Sequence, residues 1–289
     1  MGQSLTSELG TEQINDQSYE FIFEFKTELD QPGLALRKGS IKRAEIFDEI
    51  HKWYHYGSAE IRNPHNVLNT ADKLQGRDGR EINNCFKFRN DERMFLHVRI
   101  SPVLKNDMLP DHLDTETFTM EFLFNITEIQ DLCETGTGKT EDDRILKIWF
   151  EDARHYKLRT QLSNYSTTRL YESGEEETTG DAKAYTGLVI KDILTTALEP
   201  IGGANFAENF DEGSTQIFYT SPGDATYNYD LNKIISSHLS SEASGECRCL
   251  LKASRFYDNP EKNKFHLIPI NDLYANSYDS QTKTSGPYM

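Results

Sequence analysis

The sequence contains no long hydrophobic run. No apolar stretch approaches the roughly 18–20 residues that a helix needs to cross a bilayer, and the chain is polar throughout, with mean hydropathy −0.67. The first residues, MGQSLTSELGTEQINDQ, lack the basic and apolar regions of a secretory signal. Gly2 and Thr6 fit a myristoylation pattern loosely, but a polar terminus is the better interpretation. We therefore predict a soluble, non-membrane protein whose residues 1–13 are disordered.

Positive charge is also scarce. The 289 residues include 31 Lys and Arg against 47 Asp and Glu, giving a formal net charge of −16. A general nucleic-acid binder normally presents a basic face, so this balance argues against one. Acidity commonly serves solubility alone. On the wall of a channel it would also let DNA slide past without adhering.

Cysteine is rare and its spacing is irregular. The four cysteines are Cys85, Cys133, Cys247 and Cys249. They do not form the regular framework of a disulfide-stabilised domain, which is consistent with a reduced cytosolic origin. Cys247 and Cys249, with His238 or His266, would supply zinc ligands. No second pair follows at a usual spacing, so we interpret these two cysteines as small buried residues.

Sequence signatures of catalysis are missing. Neither Gly-x-Ser-x-Gly nor His-Glu-x-x-His occurs. His51 and His55 have the i, i+4 spacing of a two-histidine metal site on a helix, but Lys52 replaces the glutamate of the protease motif. We expect this pair at the surface or an interface. With 47 acidic residues, a carboxylate pair for glycoside cleavage can be drawn almost anywhere and carries no information.

One segment resembles a phosphate-binding loop but does not match the complete motif. GTGKT at Gly136–Thr140 has Cys133 where the loop requires its first glycine. Three acids, Glu141–Asp143, follow where helix amides would have to face phosphate. We interpret the segment as an interdomain turn. We therefore predict no catalytic, cofactor-binding or metal-binding residues, no cofactor, and a protein that is not an enzyme.

The first half of the chain has the pattern of an all-β domain. In Tyr19–Leu29 the aromatic residues alternate, so that one face is apolar. Further strands are predicted at Ser58–Arg62, Asn84–Phe88 paired with Met94–Pro102, and Thr117–Ile126. Ile41–Tyr56 fits a helix or a strand, and we favour a strand followed by a short bend. Short strands at regular spacing predict a barrel or a sandwich over residues 14–133.

The second half mixes helices and strands. After a linker at 134–143, the domain at 144–277 opens with a strand at Ile145–Glu151 and an undecided stretch, Arg154–Ser163. Apolar periodicity predicts helices at Tyr185–Glu199 and Tyr229–Ser240. The remaining predictions are a strand at Ser214–Gly223, a hairpin of Cys247–Tyr257 with Lys264–Ile270, and a disordered tail at 278–289. The fold class is therefore α+β.

Motifs in this second half resemble a known family. A helix with G-x-x-I-K-D-I-L, starting at Gly187, is followed by FYTSP at Phe218–Pro222, an amphipathic helix, and a hairpin ending FHLIPI before NDLYANS. Together they resemble the central baseplate hub proteins of contractile-tailed bacteriophages. The resemblance extends over Tyr19–Ser277 and is best after Thr117.

The resemblance implies a structural virion protein. Residues 14–133 would form a tail-tube-like antiparallel β-barrel, and the chain would act as a homotrimer joining the tail tube to the central spike. Its partners would be tube, spike and other baseplate proteins, assembled in the host cytoplasm, with DNA passing through the channel unbound. Family hubs carry a second tube-like barrel after this region, which a longer chain or another protein would supply. The alternative function is a tail-associated carbohydrate-binding or peptidoglycan-degrading module.

Overall fold

The computed structural model describes two compact units, which are treated separately below. Unit 1 comprises residues 1–50, 54–153 and 255–259, and unit 2 comprises 51–53, 154–254 and 260–289. Within them the structure describes residues 3–8, 18–36, 38–49, 52–76, 78–84, 86, 94–103, 119–132, 144–160, 162–166, 182–208, 210, 217–220, 226–239, 249–255 and 263–269.

Unit 1 is built on an eight-stranded antiparallel sheet. Its strands are β1 (Gln3–Glu8), β2 (Ser18–Lys26), β3 (Leu34–Ala35), β4 (Ile41–Asp48), β5 (Tyr56–Arg62), β8 (Phe95–Val103), β9 (Met120–Asp131) and β10 (Ile145–Asp152). The order across the sheet is β1-β4-β5-β10-β9-β8-β2-β3. A separate small hairpin joins β6 (Lys73–Gln75) to β7 (Glu81–Asn83), and a one-turn helix, α1 (Val67–Thr70), precedes it.

A short connection forces this sheet to curl. β4 and β3 are second and eighth in the order, six strand spacings apart, which is about 29 Å in a flat sheet. Five residues, 36–40, separate Ala35 of β3 from Ile41 of β4, and the six Cα–Cα steps between them span at most about 20–22 Å when extended. The sheet therefore bends into a half-barrel that brings its two ends within reach of this connection.

The inner face of the curled sheet holds the core of unit 1. Alternate residues of every strand from β2 to β10 point into one cluster, which includes Phe23, Phe25, Ile46, Ile61, Leu96, Val98, Phe124, Ile148 and Phe150. Phe23 and Phe25 belong to the aromatic face expected from alternation in β2. A smaller cluster of Phe95, Leu123 and Ala153 lies on the opposite face. Burying one face of each strand explains the period-two pattern in the sequence.

Two buried asparagines organise the chain that follows β5. Asn63 accepts a hydrogen bond from the Leu68 amide at 2.8 Å. Asn84 donates to the carbonyls of Leu68 at 2.6 Å and Ala71 at 2.8 Å. These side chains satisfy backbone groups that the short helix α1 leaves unpaired. Gln75 and Glu81, the first and last residues of the QGRDGRE sequence, pair with each other on either side of the expected turn.

Two expectations for the first half require correction. Gln3–Glu8, expected to be disordered, pairs with β4 as an edge strand, because a sheet edge offers unpaired backbone groups to a polar segment. Met94–Pro102 was expected to pair with Asn84–Phe88, yet β8 pairs with β2 and β9. The sequence between the predicted strands cannot show which strands are neighbours.

The placement of β10 differs as well. Ile145–Asp152 was expected to open the second domain, but it lies in the middle of the sheet between β5 and β9. Its alternate residues Leu146, Ile148 and Phe150 complete the inner core. The first compact unit consequently reaches Ala153. The ambiguous stretch Ile41–Tyr56 is a strand and a bend, as favoured.

Unit 2 combines three helices with two-stranded ladders. Its helices are α2 (Ala153–Thr160, whose first residue belongs to unit 1), α3 (Thr186–Leu198) and α4 (Leu231–Leu239). The ladders pair β11 (Leu162–Ser166) with β14 (Thr226–Asp230), β12 (Ala182–Tyr185) with β13 (Ile217–Thr220), and β15 (Cys249–Ala253) with β16 (Phe265–Pro269). Together the two units confirm an α+β protein whose main sheet is antiparallel.

The predicted helices and hairpin of unit 2 are confirmed. α3 buries Ile190, Ile193 and Leu194 on one stripe, and it packs against α4. It ends where Pro200 and glycine were expected to stop it, with Gly202 in the left-handed region at φ 99°. The undecided stretch after Arg154 is helical up to Thr160 and then forms β11. In the part of the chain that the structure describes, no helix is long and apolar enough to cross a membrane.

Gly57 provides a test of core packing. A Cβ at this position would overlap the Glu45 carbonyl oxygen and lie 2.7 Å from the Phe150 ring. We predict that Gly57→Ala lowers the free energy of unfolding by about 2–4 kcal/mol, since backbone and ring would have to move. Urea unfolding measures this. Gly39→Ala, where nothing lies within 4 Å, is the matched control and should change stability by less than about 0.5 kcal/mol.

Candidate functional site

A group of charged side chains lies at one end of the unit 1 sheet. The strands there alternate in direction, so β4 and β10 end where β5 and β9 begin. Asp48 is the last residue of β4 and Asp152 the last of β10, while His55 immediately precedes β5. All three continue the inward-facing positions of their strands. They therefore meet at the rim of the core, and we call them, with Arg255, the rim cluster.

His55 is the centre of the rim cluster. Its side chain is 3% exposed. Nε2 lies 3.8 Å from Asp48 Oδ1, and Nδ1 lies 3.9 Å from Asp152 Oδ2. These separations are those of ion pairs and are too long for direct hydrogen bonds. The Phe122 ring covers the imidazole edge-on, with 5.2 Å between ring centres.

Arg255 joins the cluster through both side chain and backbone. Its guanidinium donates to Asp48 Oδ2. Its carbonyl oxygen accepts a hydrogen bond from the Glu121 amide at 2.8 Å. The pairing of β10 with β9 ends at Phe124, so the hydrogen bond between Glu121 and Arg255 lies on β9 beyond the end of β10. The Asp152 amide donates to the His55 carbonyl at 2.8 Å, which continues the pairing of β10 with β5 by one more hydrogen bond.

The electrostatics of the cluster favour charged forms. The His55 interaction, with the Arg255 guanidinium, holds the pKa of Asp48 well below its ordinary value despite partial burial. Burial of His55 opposes protonation, but Asp152 and Asp48 outweigh it and raise the pKa of His55 above 6.5. The two carboxylates therefore favour the imidazolium form of His55, and one of them also binds a guanidinium.

A second histidine–carboxylate pair lies on the outer face of the same sheet. His97 Nδ1 is 3.8 Å from Glu24 Oε2, and the Gly33 amide donates to Glu24 Oε1 at 2.8 Å. The His97 side chain lowers the pKa of Glu24 to about 2, against the opposing effect of partial burial of the carboxyl. The Gly33 amide and Lys26 lower this pKa as well. This pair joins only two neighbouring strands, β2 and β8.

The side chains of the rim cluster are suited to forming ion pairs between strand ends. The cluster contains no hydroxyl or thiol nucleophile. No group of three or more His, Cys, Asp or Glu suited to a metal ion occurs among the residues that the structure describes. What the four side chains can do is exchange a proton at His55 and hold strand ends together.

The sequence pointed to His55 for the wrong reason. It was considered as half of a helical pair with His51, at the surface or an interface. His55 is instead buried and outside any helix, while His51 lies outside the described residues. The signal that would have found it is the alternation His55, Gly57, Ala59, Ile61, which places the histidine in the buried register of β5.

The other candidate sites do not come together. Cys249 is buried on β15 on the face of Leu251, whereas His266 is opposite Lys252 on the other face, so the two cannot share a metal ion. Cys85, Cys133, Cys247 and Gly136–Thr140 lie outside the described residues, and so does the side chain of His238.

Comparison with known proteins found no matching family model, no matching curated protein and no matching solved structure. The proposals below therefore depend on the chain itself.

Asp48→Asn tests the cluster. The Asp48 carboxylate stabilises the fold above pH 3.8, its ordinary pKa, and this contribution is lost as the pH falls below that value. We predict that the variant loses about 1–3 kcal/mol of unfolding free energy at pH 7 and that its difference from wild type shrinks towards pH 3. Urea unfolding at a series of pH values measures both. Asp30→Asn, at an exposed turn, should show no such pH-dependent difference.

Proposed function

We propose that this protein is a structural component of a phage tail: a baseplate hub that joins the tail tube to the central spike. In this proposal the curled sheet of unit 1 is the tail-tube-like domain, unit 2 is the domain that follows it, and three copies assemble around a channel. The support is the motif resemblance in unit 2 together with the open, curled antiparallel sheet of unit 1.

The edge strand β1 is the observation that carries the proposal. It is six residues long and pairs with β4 on one side only. Among the residues that the structure describes, no strand pairs with its other side. An unpaired strand edge is a ready docking surface for another chain. Subunits with such edges can associate by extending the sheet into a larger ring.

The charges of the sheet fit a surface that DNA passes without binding. Several of its cations lie beside carboxylates: Lys42 lies 3.8 Å from Glu60, Arg99 lies 3.3 Å from Glu121, and Arg43 binds Glu45. Cations paired in this way are less available to form the basic stripe that nucleic-acid binding requires. The net charge of −16 adds to the repulsion.

One observation favours the alternative function, a carbohydrate-binding module. Three partly exposed rings lie together at one end of β4 and β5. Phe47 and Tyr56 stack across the strands with 5.2 Å between centres, and Tyr54 lies 6.3 Å from Tyr56. Phe47 and Tyr56 are on the outer face, away from the core. Aromatic faces of this kind can stack on sugar rings.

The mass of the purified chain in solution, alone and with tail-tube protein, tests the hub proposal. Light scattering is expected to give a trimer or a ring that forms on mixing. Thr6→Pro removes one backbone donor from β1 and should weaken assembly at least tenfold, about 1.4 kcal/mol or more. Thr6→Ala keeps the donor and is the matched control.

Two results would decide against the hub. A strict monomer that ignores tube protein would overturn it. Sedimentation with peptidoglycan or glycan-coated beads that is abolished by Tyr56→Ala, in a protein that does not assemble, would establish the carbohydrate-binding alternative instead.

A further inference from the structure

His55 lies between strands that are neighbours in the sheet. β5 is flanked by β4 on one side and β10 on the other. One ring nitrogen faces Asp48 at the end of β4, and the other faces Asp152 at the end of β10. A single imidazole thus connects three adjacent strands at their common end.

The number of protons on the ring decides how many of these connections exist. An imidazolium has two N–H donors, whereas a neutral imidazole has one donor and one acceptor. Only the charged ring can therefore attract both carboxylates, across the 3.8 Å and 3.9 Å that separate them from its nitrogens. A neutral ring presents a lone pair to one of them, which is repulsive, and loses the ion-pair attraction to both.

The surroundings make this difference large. Among the described residues, Asp48 from β4 and Asp152 from β10 form ion pairs with the ring, and the Phe122 ring of β9 covers it. Arg255 binds the other carboxylate oxygen of Asp48, and it acts with His55, the larger cause, to lower the pKa of that carboxyl. At 3% exposure, little water can replace the lost contacts.

We propose that His55 is a protonation-dependent clasp: the imidazolium fastens the ends of β4 and β10 to β5, and the neutral ring releases them. The released end of β4 is also the first position at which β1 pairs, Gln3 opposite Asp48. Loss of the proton therefore loosens the edge strand together with the rim. The clasp does not depend on the tail function proposed above.

Amide hydrogen exchange in the wild-type protein tests the clasp. The reporters are the amides of Asp152 and Glu121, which donate to His55 and Arg255 at the rim. The reference amides are in the middle of the same ladder, at Ile148 and Ala59. Exchange is followed by NMR between pH 5.5 and 9 and expressed as protection factors, which removes the intrinsic pH dependence of exchange.

The direction of the effect follows from proton linkage. The fastened form binds the proton more tightly than the released form, so the clasp is at full strength below pH 6.5 and weakens as the pH rises through the higher pKa of the closed state. Rim protection should fall by up to about tenfold per pH unit across that interval, with a smaller change at the reference amides. The ring-nitrogen signals of His55 should show both N–H protons below the transition.

Variants provide the controls. His55→Gln should hold the rim at low protection at every pH. His97→Gln, which alters the histidine beside Glu24 on the outer face, should keep the wild-type profile. Rim protection in the wild type that is constant across the pH range would overturn the clasp, and so would an equal loss in His97→Gln. Because the decisive measurement uses the wild type, the test does not require His55→Gln to fold.

Discussion

The connection between Ala35 and Ile41 is the constraint on which unit 1 depends. Five residues must join the eighth strand of the sheet to the second, and they can do so only if the sheet curls. Curling converts one face of every strand into a shared interior, where aromatic side chains from distant parts of the chain meet. It also leaves β1 and β3 as edges instead of closing a complete barrel.

The rim cluster places charged side chains at the edge of that core. Asp48, His55 and Asp152 occupy inward-facing positions, where uncompensated charges would be costly. They are tolerated because opposite charges face each other, and because Arg255 reaches Asp48 from a remote part of the sequence. The arrangement makes the end of the sheet sensitive to a single proton, whereas the apolar interior is indifferent to pH.

The curled sheet and its charges are both suited to the proposed hub. A curled sheet with an unpaired edge is suited to association, and an acidic surface with several paired cations is suited to a channel for DNA. The aromatic group around Tyr56 is the competing feature, since it offers a surface on which a sugar could stack. Assembly and glycan binding require different surfaces of the same sheet, so experiments can separate them.

The sequence by itself determined the local elements. Alternation in β2 and β5 and the helical stripe of α3 follow from which residues avoid water, and Pro200 with Gly202 ended α3 as expected. Only the tertiary structure decided which strands are neighbours, because pairing depends on chain segments that can be far apart in sequence. For that reason β10 joined the first sheet, Gln3–Glu8 became an edge strand, and His55 met Asp152, a partner 97 residues away.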